Sequence, residues 1–461
     1  MTTTVRSLPI RMRPLAACLA AICATSVASA APPQLHAPPI ETPAAPASIP
    51  VSTCDDNGAG SLRDAVNQAA SGDTIDMTGL TCSTITLTTG SIAISQGQLA
   101  FEGPGRDALT IDAAGSPGYS AFYHVGGGTL IFENMTIENG SKYRTDHDVH
   151  GGCVYSNGNV LMRHVTVQNC RSRSIDAHHS LGGAIYTTGE TYLADSRITG
   201  NMAYSRNSYA SGGGVYALGG FQSSQTQISG NAAYSLSIAN TWGGGVFARG
   251  SSLIVGTEIS NNYAVNMGGA ALADNNGMPA TMINSTVSGN RAVKIGGVYS
   301  RAAMHMYSST VAFNSAQIWN DGAGNYFSAG LQLGTAAYME SSILSNNVVP
   351  GVGTPGDIFD LSGAANTGVA GSDNIVMEFN IGTPTDTIHD DPLLGPLQDN
   401  GGTTHTHQPG GASWAINSGN NVLSLQFDQR GSNFPRVAAG GSPDIGAYET
   451  DFDVIFVNGF N

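Results

Sequence analysis

The feature that most constrains this chain is a repeat of about thirty residues. GGCVY stands at 151–155, GGAIY at 182–186, GGVY at 213–216, GGVF at 244–247 and GGVY at 296–299, with a degenerate GGAAL at 268–272. Tyr155, Tyr186, Tyr216 and Phe247 follow one another at 31, 30 and 31 residues. A second string runs in phase with the first: VTVQNC, SRITGN, TQISGN, TEISNN, STVSGN, STVAFN and SILSNN, ending at residues 170, 201, 231, 262, 290, 314 and 347. Its aliphatic position reads Val167, Ile198, Ile228, Ile259, Val287, Val311 and Ile343. A fixed period of this size marks a repeat architecture.

Each unit holds short, alternating, β-branched segments punctuated by Gly and Asn, a strand-and-turn pattern without helical periodicity. One such unit cannot bury its apolar edge, whereas units stacked one on another bury it in a continuous column. The expected fold is therefore all-β: a right-handed parallel β-helix solenoid, elongated from about residue 80 to 350. Asn201, Asn231, Asn262, Asn290 and Asn314 are expected to stack at successive corners, where Asn tolerates a left-handed backbone and can form hydrogen-bonded ladders. Residues 61–71, SLRDAVNQAAS, offer Ser61 as a helix N-cap with Asp64 three residues on, and Leu62, Val66 and Ala69 on one face. This short helix would plug the first coil. Residues 351–461 lose the repeat and read as an irregular C-terminal module.

The first thirty residues carry Arg6, Arg11 and Arg13, then an apolar stretch, then Ala28-Ser29-Ala30, the layout of a cleaved secretory signal peptide. Residues 31–50 form a Pro/Ala-rich linker. Of 18 basic residues three lie in the signal, leaving 15 against 33 acidic ones, a balance that excludes a nucleic-acid binder. Export to the cell surface or medium is expected, with no stretch after the signal apolar enough to span a bilayer. Four cysteines remain, and Cys54–Cys82 with Cys153–Cys170 is the simplest of three pairings in an oxidising compartment.

With the repeat established, the strings GAGSLRDAVNQAASGDTIDM and FEGPGRDALTID resemble the opening of bacterial parallel β-helix surface proteins of the pectin-lyase-like superfamily. The GG-[VI]-Y and S-x-[IV]-S-x-N repeats resemble those of polymorphic outer-membrane proteins. DPLLGPLQDNGGTTHTH, DQRG (428–431) and PDIGAYE (443–449) are similar to the C-terminal module called choice-of-anchor Q, here placed at 391–449 with a short tail at 450–461. The resemblance implies export and surface display, on a fold that serves binding proteins and polysaccharide-cleaving enzymes alike. Twelve residues after Glu449 are too few for a transmembrane β-barrel.

Alternation along a strand sends Val154, Ile185, Val215, Val246 and Val298 inward, and so Tyr155, Tyr186, Tyr216, Phe247 and Tyr299 outward. These five are expected to form an exposed aromatic ladder suited to pyranose faces. Loops ahead of the GG strings concentrate Lys142, Arg144, His147, His150, Arg171, Arg173, Asp176, His178 and His179, which would make one wall beside the ladder. A positive wall on an acidic protein suits an acidic polymer. The expected function is thus binding of a polysaccharide or cell-surface glycan by a monomer, adhesin-like and without a cofactor. The rival is a polysaccharide lyase or glycoside hydrolase at the same wall, where Asp146, Asp148 and Asp176 with the histidines would supply acid–base groups or hold a divalent cation. Asp390, Asp391, His405 and His407 are read as structural turn and cap residues.

Overall fold

The computed structural model describes residues 46–236, 241–272, 278–318, 327–349, 361–363, 368–437 and 441–450. The expected signal peptide, most of the linker and the C-terminal tail lie outside these residues. Within them the chain winds as a parallel β-solenoid, with nearly every strand pairing in parallel with its equivalent about thirty residues on. A representative coil runs Ile185–Thr187, Glu190–Ala194, Arg197–Thr199, Met202–Ser205 and Ala210–Ser211 before the next begins at Val215–Ala217. Stacking these segments produces a long sheet, a ten-stranded sheet carrying the GG-aliphatic-aromatic strands, and two smaller sheets of seven and four strands.

Several inward columns fill the barrel, and two of them carry the repeat positions. Val154, Ile185, Val215, Val246, Ala270, Val298 and Leu331 succeed one another in register, each at most 1% exposed. Facing them stand Val167, Ile198, Ile228, Ile259, Val287, Val311 and Leu344. Full burial of one such side chain is worth about 1.5–3 kcal/mol, so each column contributes strongly to stability. In the last repeat the expected inward residue was Ile343; the register instead matches Val311 with Leu344, and Ile343 pairs with Thr310. Its outward side chain is buried by Ile375, Ala415 and Ile445.

The asparagines stack as expected, but not in the expected backbone state. Asn201 Nδ2 donates to Asn231 Oδ1 at 2.9 Å, and the same link joins Asn231 to Asn262, Asn262 to Asn290, Asn290 to Asn314 and Asn314 to Asn347. Each Nδ2 also donates to a carbonyl of the preceding coil, Ile228 O for Asn262 at 2.9 Å. The left-handed residue at the corner is the one before the ladder: Asn169, Gly200, Gly230, Asn261, Gly289, Phe313 or Asn346. A buried amide that must bond both neighbours needs the ordinary backbone state, and the strain falls on the residue ahead of it.

At the N-terminal end Leu62–Gln68 is helical, with Ser61 Oγ accepting from Asp64 N and the Asp64 carboxylate accepting from Gly60 N. Leu62, Ala65 and Val66 close the barrel mouth, protecting the first strand edges. Both disulfides form as paired in the sequence, Cys54–Cys82 and Cys153–Cys170. Parallel pairing already begins at Ser48–Pro50, in the stretch read as linker, which pairs with Thr74–Asp76. At the other end residues 391–437 and 441–450 fold back over the outside of the long sheet. Gln429 reaches Thr286 and Gln225, Ser341 bonds Asn420, and Ala447 N donates to Thr310 Oγ1. Arg430 lies between the Phe434 and Tyr448 rings and pairs with Asp428 at 2.7 Å, so the DQRG and GAYE strings are internal fasteners.

Candidate functional site

The smaller sheets form a lateral fin. After each Asn corner the chain leaves the barrel along one strand, turns, and returns along a second to the GG string. The outer leaf comprises Ser141–Arg144, Arg171–Ser174, Met202–Ser205, Ala232–Ser235, Tyr263–Ala264, Arg291–Ala292 and Ser315–Ala316. The inner leaf comprises Val149–His150, Ser180–Leu181, Ala210–Ser211 and Thr241–Trp242. The facing residues are small: Ser172 Oγ and Ser180 Oγ lie 2.7 Å apart, and Ala203, Ala210 and Ala233 are fully buried.

The glycine pairs make the neck of this fin possible. Gly182, Gly212 and Gly243 hold φ of 69°, 63° and 64°, a left-handed state that a side chain opposes. The second glycine sits where the returning strand crosses the departing one. A Cβ on Gly183 would collide with Gly213 O and with the Met202 backbone.

The aromatic ladder exists, and it is largely covered. Tyr123, Tyr155, Tyr186, Tyr216 and Phe247 stack in register with centroids 4.7–5.5 Å apart. Tyr186 and Tyr216 are each 7% exposed and Phe247 1%. The fin is what covers them: Leu181 and Trp242 of the inner leaf pack against the rings, and the His150 ring stacks on Tyr186 at 4.3 Å. Face-to-face stacking also uses up the ring faces, so the interior of the ladder cannot serve pyranose stacking. Tyr299 is separated from it by Ala271. The ladder ends at Tyr123, whose register partner in the preceding coil is the exposed Ala93.

That open end is a cleft of about 440 Å³, lined by Tyr123, Lys142, His147, Asp148, His150, Tyr155 and His178. It lies where the fin begins, because the coil before Ser141–Arg144 has no strand in either leaf. Lys142 stands in the inward column continued by Ser172, Ala203, Ala233 and Ala264. A long cation fits there only in the first layer, where it can leave through the open edge. Its Nζ lies 4.6 Å from the Tyr123 centroid and 5.1 Å from that of Tyr155. Burial, helped by the nearby Arg144 charge, pushes the Lys142 ammonium down to about 8. Burial likewise pushes His150 down to about 4, so it is neutral at physiological pH. At the rim His147 pairs with Asp146 at 2.7 Å, and His178 stands 3.7 Å from Asp148, whose carboxylate accepts from His179 N.

The single wall expected beside the ladder is in fact divided. Lys142, His147, His150, Tyr155 and His178 meet in the cleft. Arg171 and Arg173 point from the outer leaf, on the opposite face of the fin from Tyr155 and Tyr186. Arg144 is engaged with Gly118 O and Tyr119, His179 with Ser208 and Tyr209, and Asp176 is exposed at the fin tip. Among the described residues no three of His, Cys, Asp and Glu converge to hold a metal ion. His407 and His405 bind Ser288 and Glu258 and fasten the C-terminal segment.

Tyr123 is the cleft residue that the repeat motif passes over. It lies 32 residues before Tyr155 in AFYH, a coil that lacks the glycine pair, and the spacing alone would have found it. The chain matches no family model and no curated protein.

Proposed function

We propose that this is an exported glycan-binding solenoid whose binding site is the cleft at the start of the fin. A saccharide unit would lie on the uncovered side of Tyr123, with its hydroxyl or carboxylate groups toward Lys142, Asp148 and His178. The observation that carries the reading is Lys142 itself. Its ammonium is held against two aromatic rings with no carboxylate within ion-pair distance among the described residues. Such a charge is poorly solvated, and an anionic or strongly hydrogen-bonding ligand would relieve it. A polar rim around an apolar floor is the usual constitution of a sugar site. Two disulfides and the signal-like N-terminus support export, and the quoted strings support kinship with pectin-lyase-like surface proteins bearing a choice-of-anchor Q module.

The test is retention of a panel of neutral and uronate-containing polysaccharides by the wild type, Tyr123→Ala and Lys142→Met. Weaker retention by both variants than by the wild type supports the site; equal retention by all three proteins refutes it. A second reading, polysaccharide lyase, is favoured by the same lowered lysine, since a neutral amine in a cleft can take the proton beside a uronate carboxyl. Release of unsaturated ends by the wild type and not by Lys142→Met would decide for it.

A further inference from the structure

The outer leaf of the fin presents a second surface, on the face turned away from the cleft. Its seven strands contain not one Asp or Glu, and the basic residues they turn outward are Arg171, Arg173 and Arg291, in a chain with 33 acidic and 18 basic residues. Outward along one column stand Tyr143, Arg173, Tyr204 and Tyr234 in register. The Arg173 guanidinium sits between two rings, 5.7 Å from the Tyr143 centroid and 5.5 Å from that of Tyr204. Tyr204 and Tyr234 continue the stack at 5.9 Å. The neighbouring outward column carries Arg171 and, four coils on, Arg291, both exposed. No described carboxylate pairs with these three arginines.

We propose that this face is a binding platform for a linear anionic polysaccharide, independent of the cleft, with the chain lying across the coils along the solenoid axis. The stacked arginine and rings are pre-ordered, so binding costs little side-chain entropy. Guanidinium groups match carboxylate and sulfate oxygens with paired donors. The mode of stacking selects the partner. Between Tyr143 and Tyr234 the facing ring surfaces are filled by Arg173 or by the next tyrosine, so bases of a single-stranded nucleic acid find no run of free faces along the column. What the column offers outward is ring edges and phenolic hydroxyls, which suit a hydroxyl-rich chain.

The experiment compares retention on immobilised polygalacturonate, dextran sulfate and neutral dextran for the full protein, Arg173→Gln, the triple variant Arg171→Gln/Arg173→Gln/Arg291→Gln, and Lys142→Met, across a salt series. Wild type should bind the two anionic polymers and not dextran, more weakly as salt rises. The triple variant should bind about tenfold more weakly and with a flatter salt dependence, and Arg173→Gln should fall between. Lys142→Met should retain a salt-sensitive component that the triple variant lacks. Unchanged binding by a folded triple variant overturns the proposal. So does preference for single-stranded DNA over both anionic polysaccharides, or complete loss of binding in Lys142→Met.

Discussion

Replacing Lys142 by Met should make the protein more stable. The side chain occupies a column otherwise filled by Ser172, Ala203 and Ala233, and its charge sits on rings rather than in water. A pKa near 8 instead of 10.5 means that holding the ammonium there costs about 3 kcal/mol at pH 7. Cation–π attraction to two partly buried rings returns roughly 1–2 kcal/mol. The Met thioether keeps the aromatic contact without the charge. The expected gain is therefore about 1–2 kcal/mol at pH 7.

The pH dependence separates this cause from generic packing. A lysine with a lowered folded pKa withholds stability below that pKa and restores it as pH rises toward the unfolded value. The advantage of Lys142→Met should then shrink between pH 8 and 10.5 as the native lysine loses its proton. Because a solenoid opens locally, the assay is amide exchange at Ser141–Arg144 and Val149–His150, supported by the urea midpoint at pH 7 and 10. A variant no more protected than wild type at pH 7, or an advantage equal at both pH values, would refute the reasoning.

Asn262→Ala should cost about 3–5 kcal/mol by urea denaturation. It removes four hydrogen bonds and leaves the buried Asn231 N–H and Ile228 carbonyl without their partner. Loss of Cys54–Cys82 by paired Ser substitution should loosen the N-terminal cap by about 2–4 kcal/mol, seen as early proteolysis ahead of the first long strands. Asp56 is buried, which opposes ionisation, yet hydrogen bonds from Arg63, Thr89 and Thr88 outweigh this and hold its carboxyl well below the usual range. Its contribution is present above the ordinary carboxyl pKa of 3.8 and is lost as pH falls below it, so protection of Leu62–Gln68 should decline there, and Asp56→Asn should flatten the decline.

The barrel was legible in the sequence because its determinants are periodic. An inward Val or Ile and a corner Asn recur at the coil length, and a one-residue slip would expel the whole column. That logic weakens where loops vary, and the slip at Ile343 occurred beyond the 24-residue spacing, where SILSNN offers two adjacent aliphatics. The fate of the tyrosines was not legible. Alternation correctly turns Tyr186 and Tyr216 away from the core, but exposure depends on what folds over them. The cover comes from Leu181 and Trp242, which in sequence are merely residues next to a glycine pair. The division of the arginines from the cleft was hidden for the same reason. Arg171 and Leu181 belong to one loop in the sequence and to opposite faces of one fin in the structure.

The fin explains why the chemistry gathers at its first layer. Two leaves joined through Ser172, Ser180, Ala203 and Ala210 are too thin to bury anything larger, so every long side chain must turn outward or escape at an edge. In the middle layers escape is blocked by the coils above and below, and the inward positions are Ser or Ala. In the first layer both inward positions are long cations, Lys142 and Arg144. Arg144 reaches down to Gly118 O and ties the layer to the coil beneath. Among the described residues Lys142 has no such anchor, and it rests on the last two rings of the ladder. The layer thus commits one cation to holding the fin in place and leaves the other beside an open cleft. If Lys142 served packing alone, the smaller residues of the following coils would fill its column at no electrostatic cost.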